Sequence, residues 1–300
     1  MLPNVIIAGT QKAGTTSLFR YLSDHSYVCP SLIKEVDFFI IYQNKIDSKA
    51  IEKYRSYFAK CTSDQSIRLE ASPRYLKLSN LVAGEMHNYL PNVKLIFVLR
   101  EPISVLISYL KWKSTVTKKP LKLSHIISFL NKSNYKSTHD LETKNIFGRI
   151  HAGCYADKLR NFLKFYSKSS IGVFFYDDFL ENTKNFMDQI CNFLEIDGNF
   201  YNNYQFSIEN KTRSYKYPFL HQMTSKIYLK FEIFFNQFPS MRRLMRFFYH
   251  LMFEKKAKDF KLSENDREIL EQFYKPYNVD LCRLLKGEFP NLRLPKWLEG

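Results

Sequence analysis

The chain has 300 residues, 45% of them hydrophobic, which is enough for one large domain with a substantial core. Its formal charge of +16 makes a field that draws polyanions, anionic lipid headgroups or phosphorylated ligands, without saying which. No run of about 18 apolar residues is present, so no membrane-spanning helix is predicted, and a first strand close to Met1 leaves no room for a signal peptide, so a cytoplasmic protein is expected.

The first predicted element is the β-branched run Val5-Ile6-Ile7-Ala8, followed by Gly9 to Thr16 and then by a helical pattern with Leu18, Phe19 and Leu22. Strand, glycine loop and helix in this order form an anion site. Gly9 and Gly14 permit a tight turn whose N–H groups point inward, and the helix N-terminus adds its positive dipole end. The spacing is near that of a nucleotide P-loop, but Thr15 follows Gly14 where such a loop carries lysine, and the lysine is displaced to Lys12. That departure weakens a kinase or ATPase reading.

Tyr27 to Pro30 reads as a short extended piece, and Ser31 to Phe39 as a loop or short element anchored by Phe38 and Phe39. A helical segment with Tyr54, Tyr57 and Phe58 precedes a strand from Ile67 that Pro73 ends. Val93 to Leu99 is nearly all apolar, as suits a central parallel strand covered on both faces. It runs into Arg100-Glu101-Pro102 and a helix through Val105, Leu106, Tyr109 and Trp112. Where a P-loop NTPase places an aspartate for its metal, this strand end offers an arginine, so an anion site without metal is expected.

Residues 115–145 are rich in Lys and Ser and read as a variable surface segment with an amphipathic centre at His125 to Leu130. A helix at Tyr155 to Tyr166, a strand at Ile171 to Tyr176 and a helix at Lys184 to Leu194 follow. Strands alternating with helices predict an α/β fold, P-loop-like, with a central parallel sheet flanked by helices. Residues 215–262 interleave Phe with Arg and Lys and read as a helical insertion in a single domain spanning 1–300, either packed on the core or resting on a membrane surface. An amphipathic helix at Asn265 to Leu285 and a clamp at Pro290 to Trp297 close the chain. The five cysteines lack CxxC spacing and read as buried free thiols, not as a metal site or a disulfide framework.

With both loops in view, the chain resembles sulfotransferases that use 3′-phosphoadenosine 5′-phosphosulfate (PAPS), carbohydrate and heparan-sulfate-type enzymes above all. Thr10 to Thr16 is similar to the family's 5′-phosphosulfate loop, and Arg100 with Ser108 eight residues on is similar to its 3′-phosphate motif. Tyr155 to Leu159 resembles a tyrosine-containing helix start, Asn210 to Arg213 a basic loop over the cofactor, and Leu270 to Trp297 the C-terminal helix and Pro-Trp ending; residues 113–147 and 215–262 lie outside the resemblance.

The resemblance implies that Gln11, Lys12, Ala13, Gly14, Thr15 and Thr16 hold the phosphosulfate, that Arg100 and Ser108 hold the 3′-phosphate, and that Tyr155, Lys211 and Arg213 complete the cofactor site. Lys12 would neutralise the leaving phosphate. Lys34-Glu35-Val36-Asp37-Phe38-Phe39 resembles the segment bearing the catalytic glutamate, which makes Glu35 the general base and places Lys34 beside the acceptor. His151 is the competing base, for a small-molecule or lipid hydroxyl. Where heparan-type enzymes place a lysine after the second-strand glutamate, this chain has Ala71 after Glu70, and Arg74 is the candidate replacement cation on the substrate side. A carbohydrate acceptor follows, with an acidic glycan or a membrane-borne glycolipid among the candidates. Rival readings are a P-loop kinase, for which no acidic strand end is found, and a polyanion- or membrane-binding protein with a vestigial loop; the spread of basic residues carries no nucleic-acid signature.

Overall fold

A computed structural model describes residues 1–117, 121–131, 141–207, 214–215, 254–255 and 262–299. Two compact units are distinguished: Met1–Glu101 with Cys154–Glu209 and Lys275–Gly300, and Pro102–Gly153 with Asn210–Tyr274.

The first unit is built on a five-stranded sheet in the order β2-β3-β1-β4-β5, every neighbouring pair parallel. Its strands are β1 (Val5–Gly9), β2 (Val28–Pro30), β3 (Ile67–Ala71), β4 (Lys94–Leu99) and β5 (Ile171–Phe175). Helices α1 (Thr15–Ser23), α2 (Phe38–Ile41), α3 (Ser48–Ser56), α4 (Arg74–Lys77) and α5 (Ser79–Tyr89) fill the connections up to β4. The parallel α/β class expected from the sequence is what the chain adopts. Parallel strands need crossover connections, and these cover both sheet faces, which is why β1 and β5 are buried at every position.

Side chains alternate between two cores, as the period of two requires. Ile6, Ala8, Leu95, Phe97 and Leu99 face one side with Phe38, Tyr54, Tyr75 and Met86; Val5, Ile7, Leu69, Ile96 and Val98 face the other with Leu18, Tyr21 and Ile190. Phe38 and Phe39 are buried as expected, with Phe38 stacked on Tyr54 at 4.1 Å. The strand order reverses direction beside β1: the chain leaves β1 for β2 and β3 on one side, then crosses to β4 on the other. Loops at the carboxyl ends of β1 and β4 therefore diverge around a crevice, where open α/β sheets bind ligands.

One expectation is corrected here. Cys29 and Cys61 form a disulfide, with Cα atoms 5.4 Å apart, while Cys154, Cys191 and Cys282 are free. The bridge joins β2 to the segment after α3, a juxtaposition made by the sheet and invisible in a sequence separation of 32. Burial pushes the Cys154 and Cys191 thiols up to about 12, so both are inert.

In the second unit, α6 (Pro102–Val116), α7 (Leu123–Leu130) and α8 (Leu141–Ile150) give helical form to part of the segment read from sequence as variable surface. The amphipathic centre expected at His125 to Leu130 is α7, whose apolar face is carried by Leu123, Ile126, Ile127 and Phe129. Returning to the first unit, the chain forms α9 (Ala156–Leu163), α10 (Tyr176–Glu181) and α11 (Thr183–Leu194). Short strands β6 (Ser214–Tyr215) and β7 (Glu254–Lys255) pair antiparallel; the rest of the basic aromatic stretch 215–262, apart from Leu262, lies outside the described residues, as do Lys211 and Arg213. Helix α12 (Glu264–Glu288) and the short α13 (Lys296–Glu299) end the chain, with Trp297 edge-on to Phe175 at 6.3 Å. Among the described residues no helix is long and apolar enough to cross a membrane, and no cluster of metal-ligating side chains is found.

Candidate active site

The loop after β1 is shaped by two left-handed residues, Lys12 (φ 69°) and Gly14 (φ 74°), and Gly14 is the N-cap of α1. Gly14 is needed twice over: its backbone angle favours glycine, and a Cβ there would lie 2.9 Å from the Tyr176 ring. The first N–H groups of an α-helix have no intrahelical acceptor, and Gly14 supplies no side-chain cap, so the α1 terminus is suited to an anion. Ala13 and Thr15 are buried, while Gln11, Lys12, Gly14 and Thr16 are partly exposed along the loop.

Arg100, at the end of β4, is tied to this loop directly. Its guanidinium donates to the Lys12 carbonyl at 2.8 Å and lies 4.4 Å from the Tyr176 ring centroid. Tyr176 thus packs against both Gly14 and Arg100 from the start of α10. Tyr155 braces the same point, because its buried hydroxyl donates to the Arg100 carbonyl at 2.8 Å. Its ring is enclosed, so the group it reaches at this point is Arg100. The two anion motifs found 88 residues apart meet at the β1/β4 switch point. Ser108 stands on α6 in the second unit, and His151 lies in that unit with its ring tilted against Phe147, the centroids 3.9 Å apart.

The turn after β2 closes over the end of β3. Glu35 donates its N–H to the Ala71 carbonyl at 2.8 Å, and the Asp37 N–H donates to Ser72 Oγ at 2.9 Å. Glu35 (φ 63°) and Asp37 (φ 51°) are both left-handed, so among the described residues three of the five non-glycine residues with positive φ, Lys12 included, fall in these two loops. Strain of this kind is kept only where surrounding contacts over-determine it, and it concentrates at ligand sites.

Electrostatics bring the two loops together. Burial lowers the Lys12 ammonium to about 8, Glu35 opposes that shift, and Lys34 adds to it. The Glu35 carboxylate is therefore close enough to feel Lys12, and it is exposed, with one oxygen 2.8 Å from Lys34 Nζ. Arg74 donates to Asp37 Oδ2 at 2.8 Å; its side chain is 44% exposed against 9% for Asp37. Burial raises the Asp37 carboxyl, Arg74 pulls it back, and Oδ1 is buried without a partner.

No role for Tyr176 or Asp37 is legible in the sequence, and Glu70 stands out there only as the neighbour of Ala71. The sequence gives no local signal for Tyr176, since its contacts to Gly14 and Arg100 span the sheet. Asp37 was visible inside the Lys34-to-Phe39 segment, but its pairing with Arg74 depends on β2 and β3 being neighbours. The arrangement as a whole offers an anion cradle, two cations along it and an exposed carboxylate whose field reaches Lys12.

Residues 2–276 match the family model described as a sulfotransferase domain. Over 134 residues the chain is 34% identical to the membrane-associated sulfotransferase kil1 of Dictyostelium discoideum, covering 42% of this chain and 27% of that protein. It is 22% identical to a bifunctional heparan sulfate N-deacetylase/N-sulfotransferase of Drosophila melanogaster, covering 99% and 27%, and 27% identical to heparan sulfate glucosamine 3-O-sulfotransferase 6 of Mus musculus, covering 56% and 44%. The chain thus spans less than half the length of these curated relatives. Among solved structures, a sulfotransferase from Alicyclobacillus acidocaldarius superposes with a TM-score of 0.65 at 18% identity over 99% of both chains, a likeness of fold.

Proposed function

The chain belongs to the sulfotransferase-domain family, and from that premise we propose that it moves a sulfuryl group from PAPS to a hydroxyl of a carbohydrate acceptor: a polysaccharide, an oligosaccharide or a glycolipid. The observation that carries the reading is the meeting of three groups at one crevice, with Arg100 bonded to the Lys12 carbonyl and Glu35 acting on the Lys12 ammonium. The residues present suit a donor with two anionic ends: loop amides, Lys12 and Thr16 for one, the Arg100 fork for the other. Bound PAPS supplies the activated sulfuryl group.

The chain's own groups would then divide the work. Glu35 takes the proton of the acceptor hydroxyl, Lys12 balances charge gathering on the leaving phosphate oxygen, and the α1 terminus holds equatorial oxygens in line. Lys34 and Arg74 line the acceptor side, the former holding Glu35 and the latter held by Asp37. Ser108, Lys211 and Arg213 enter this reading through motif resemblance. The names of the heparan sulfate relatives support a saccharide acceptor. The test is release of adenosine 3′,5′-bisphosphate from PAPS with desulfated glycans as acceptors. Glu35→Gln is expected to lower turnover by at least about a hundredfold, in the range for loss of a general base, with nucleotide affinity retained; full turnover by that variant would remove Glu35 as the base.

We further propose that the domain works in an oxidising compartment, in place of the cytoplasm expected from sequence, because disulfides persist there and are rare in the cytosol. Alkylation of protein denatured without reductant is expected to label Cys154, Cys191 and Cys282 alone. Labelling of Cys29 and Cys61 in protein freshly isolated from its source would place it in a reducing one.

A further inference from the structure

Beneath the acceptor-side turn lies a carboxylate that no step above uses. Glu70, on β3, is fully buried, and it accepts hydrogen bonds from the Tyr54 hydroxyl and, at 2.6 Å, from Ser72 Oγ. Burial raises its carboxyl above the ordinary range, and the bonds from Ser72 and Tyr54 oppose that shift. A carboxylate fully out of water is costly, and an apolar residue of similar volume is often as stable or more so. Packing alone does not account for it.

Its geometry points to orientation. A serine hydroxyl has one proton, and Ser72 gives that proton to Glu70, which leaves an Oγ lone pair facing the Asp37 N–H at 2.9 Å. Asp37 is left-handed, and so is Glu35, whose N–H rests on the Ala71 carbonyl between Glu70 and Ser72. The end of β3 therefore grips the 35–37 turn through Ala71, Ser72 and, one residue past Pro73, Arg74 on the Asp37 carboxylate. Tyr54, stacked on Phe38 just beyond the turn, closes the ring of contacts.

We propose that Glu70 is a positioning residue: by fixing the polarity of the Ser72 hydroxyl it locks the 35–37 turn and holds the Glu35 carboxylate beside Lys12. The proposal rests on the reading of Glu35 as the base, and it makes a statement about Lys12 that stands apart from turnover. Lys12 is faced by Glu35, which raises its pKa, and by Lys34, which lowers it. If the turn loosens, the support from Glu35 weakens and the Lys12 midpoint falls, although neither Glu70 nor Ser72 is among the charged groups acting on Lys12.

The experiment compares wild type, Glu70→Gln and Ser72→Ala in two assays: affinity for adenosine 3′,5′-bisphosphate against pH, and turnover with the best acceptor. Both variants are expected to bind the nucleotide at pH 7 within about twofold of wild type, to show a lower pH midpoint, and to lose at least tenfold in kcat. Combining either with Glu35→Gln is expected to add no further midpoint shift, since the field of Glu35 is already gone. Ser72→Ala removes one hydroxyl, so it serves if Glu70→Gln does not fold. An unchanged midpoint, or a kcat that falls only in proportion to folded protein, overturns the proposal. If wild type binds nucleotide but sulfates nothing, the functional reading fails while the midpoint comparison still decides the positioning role.

Discussion

Lys12 gives the sharpest quantitative test. With its ammonium lowered to about 8 by burial, Lys12 is about 90% charged at pH 7 and about 10% charged at pH 9, by ordinary titration. An anion bound against it selects the charged form and restores its pKa. Affinity for adenosine 3′,5′-bisphosphate should therefore fall about tenfold from pH 7 to pH 9, or about 1.4 kcal/mol. A lysine at its usual 10.5 would lose less than about a tenth of its affinity over that range. Lys12→Arg keeps a charge that does not titrate, so its curve should be flat.

The sign for folding runs the other way. Lys12 has a lower pKa folded than unfolded, so between about 8 and 10.5 the unfolded chain binds more protons and the ligand-free protein gains stability as pH rises. Ligand-induced stabilisation shrinks over the same window. Isothermal titration at pH 7, 8 and 9, with melting curves run alongside, measures both trends. A wild-type affinity that is flat from pH 7 to 9, or a slope that persists in Lys12→Arg, would refute the placement of a buried lysine at the anion.

Two further outcomes follow from local geometry. Gly14→Ala combines a left-handed angle with a Cβ 2.9 Å from Tyr176; the angle costs about 1–2 kcal/mol and the displaced ring about 1 kcal/mol more, so melting several degrees lower with much weaker nucleotide binding is expected, and an unchanged melting temperature would contradict the packing described. Arg160 donates both terminal nitrogens to Asp280 at 2.6 and 2.7 Å, yet the pair is more than a third exposed. Solvent screening limits it to about 0–1 kcal/mol, so Arg160→Ala should leave the denaturation midpoint nearly unmoved, and a loss above about 2 kcal/mol would show the pair to be effectively buried.

The parts of this molecule legible in its sequence are those encoded locally. Val5 to Tyr21 carries strand, loop and helix signals in one continuous stretch, and β4 announces itself as an apolar run ending in Arg100. Even the convergence of those two loops follows from class, since parallel sheets reverse order at a crevice. What escaped the sequence depends on which strands become neighbours. The Cys29–Cys61 bridge, the Asp37–Arg74 pair and the Glu70–Ser72–Asp37 chain all require β2 to lie beside β3. Tyr176 required β5 to lie beside β4, so that the residue after β5 could cover Gly14 and Arg100 together. Within residues 115–145 the amphipathic centre at His125 to Leu130 was legible and corresponds to α7, which buries Leu123, Ile126, Ile127 and Phe129.

In the function proposed above, the loop after β1 and the arginine after β4 form one metal-independent site for a doubly phosphorylated nucleoside. Titration of the protein with adenosine 3′,5′-bisphosphate in EDTA, for wild type and Arg100→Ala, tests it most directly. Wild type is expected to bind tightly and the variant more weakly by roughly 2–5 kcal/mol, as when a buried charge pair loses one partner. No binding by wild type, or equal binding by both proteins, would contradict it.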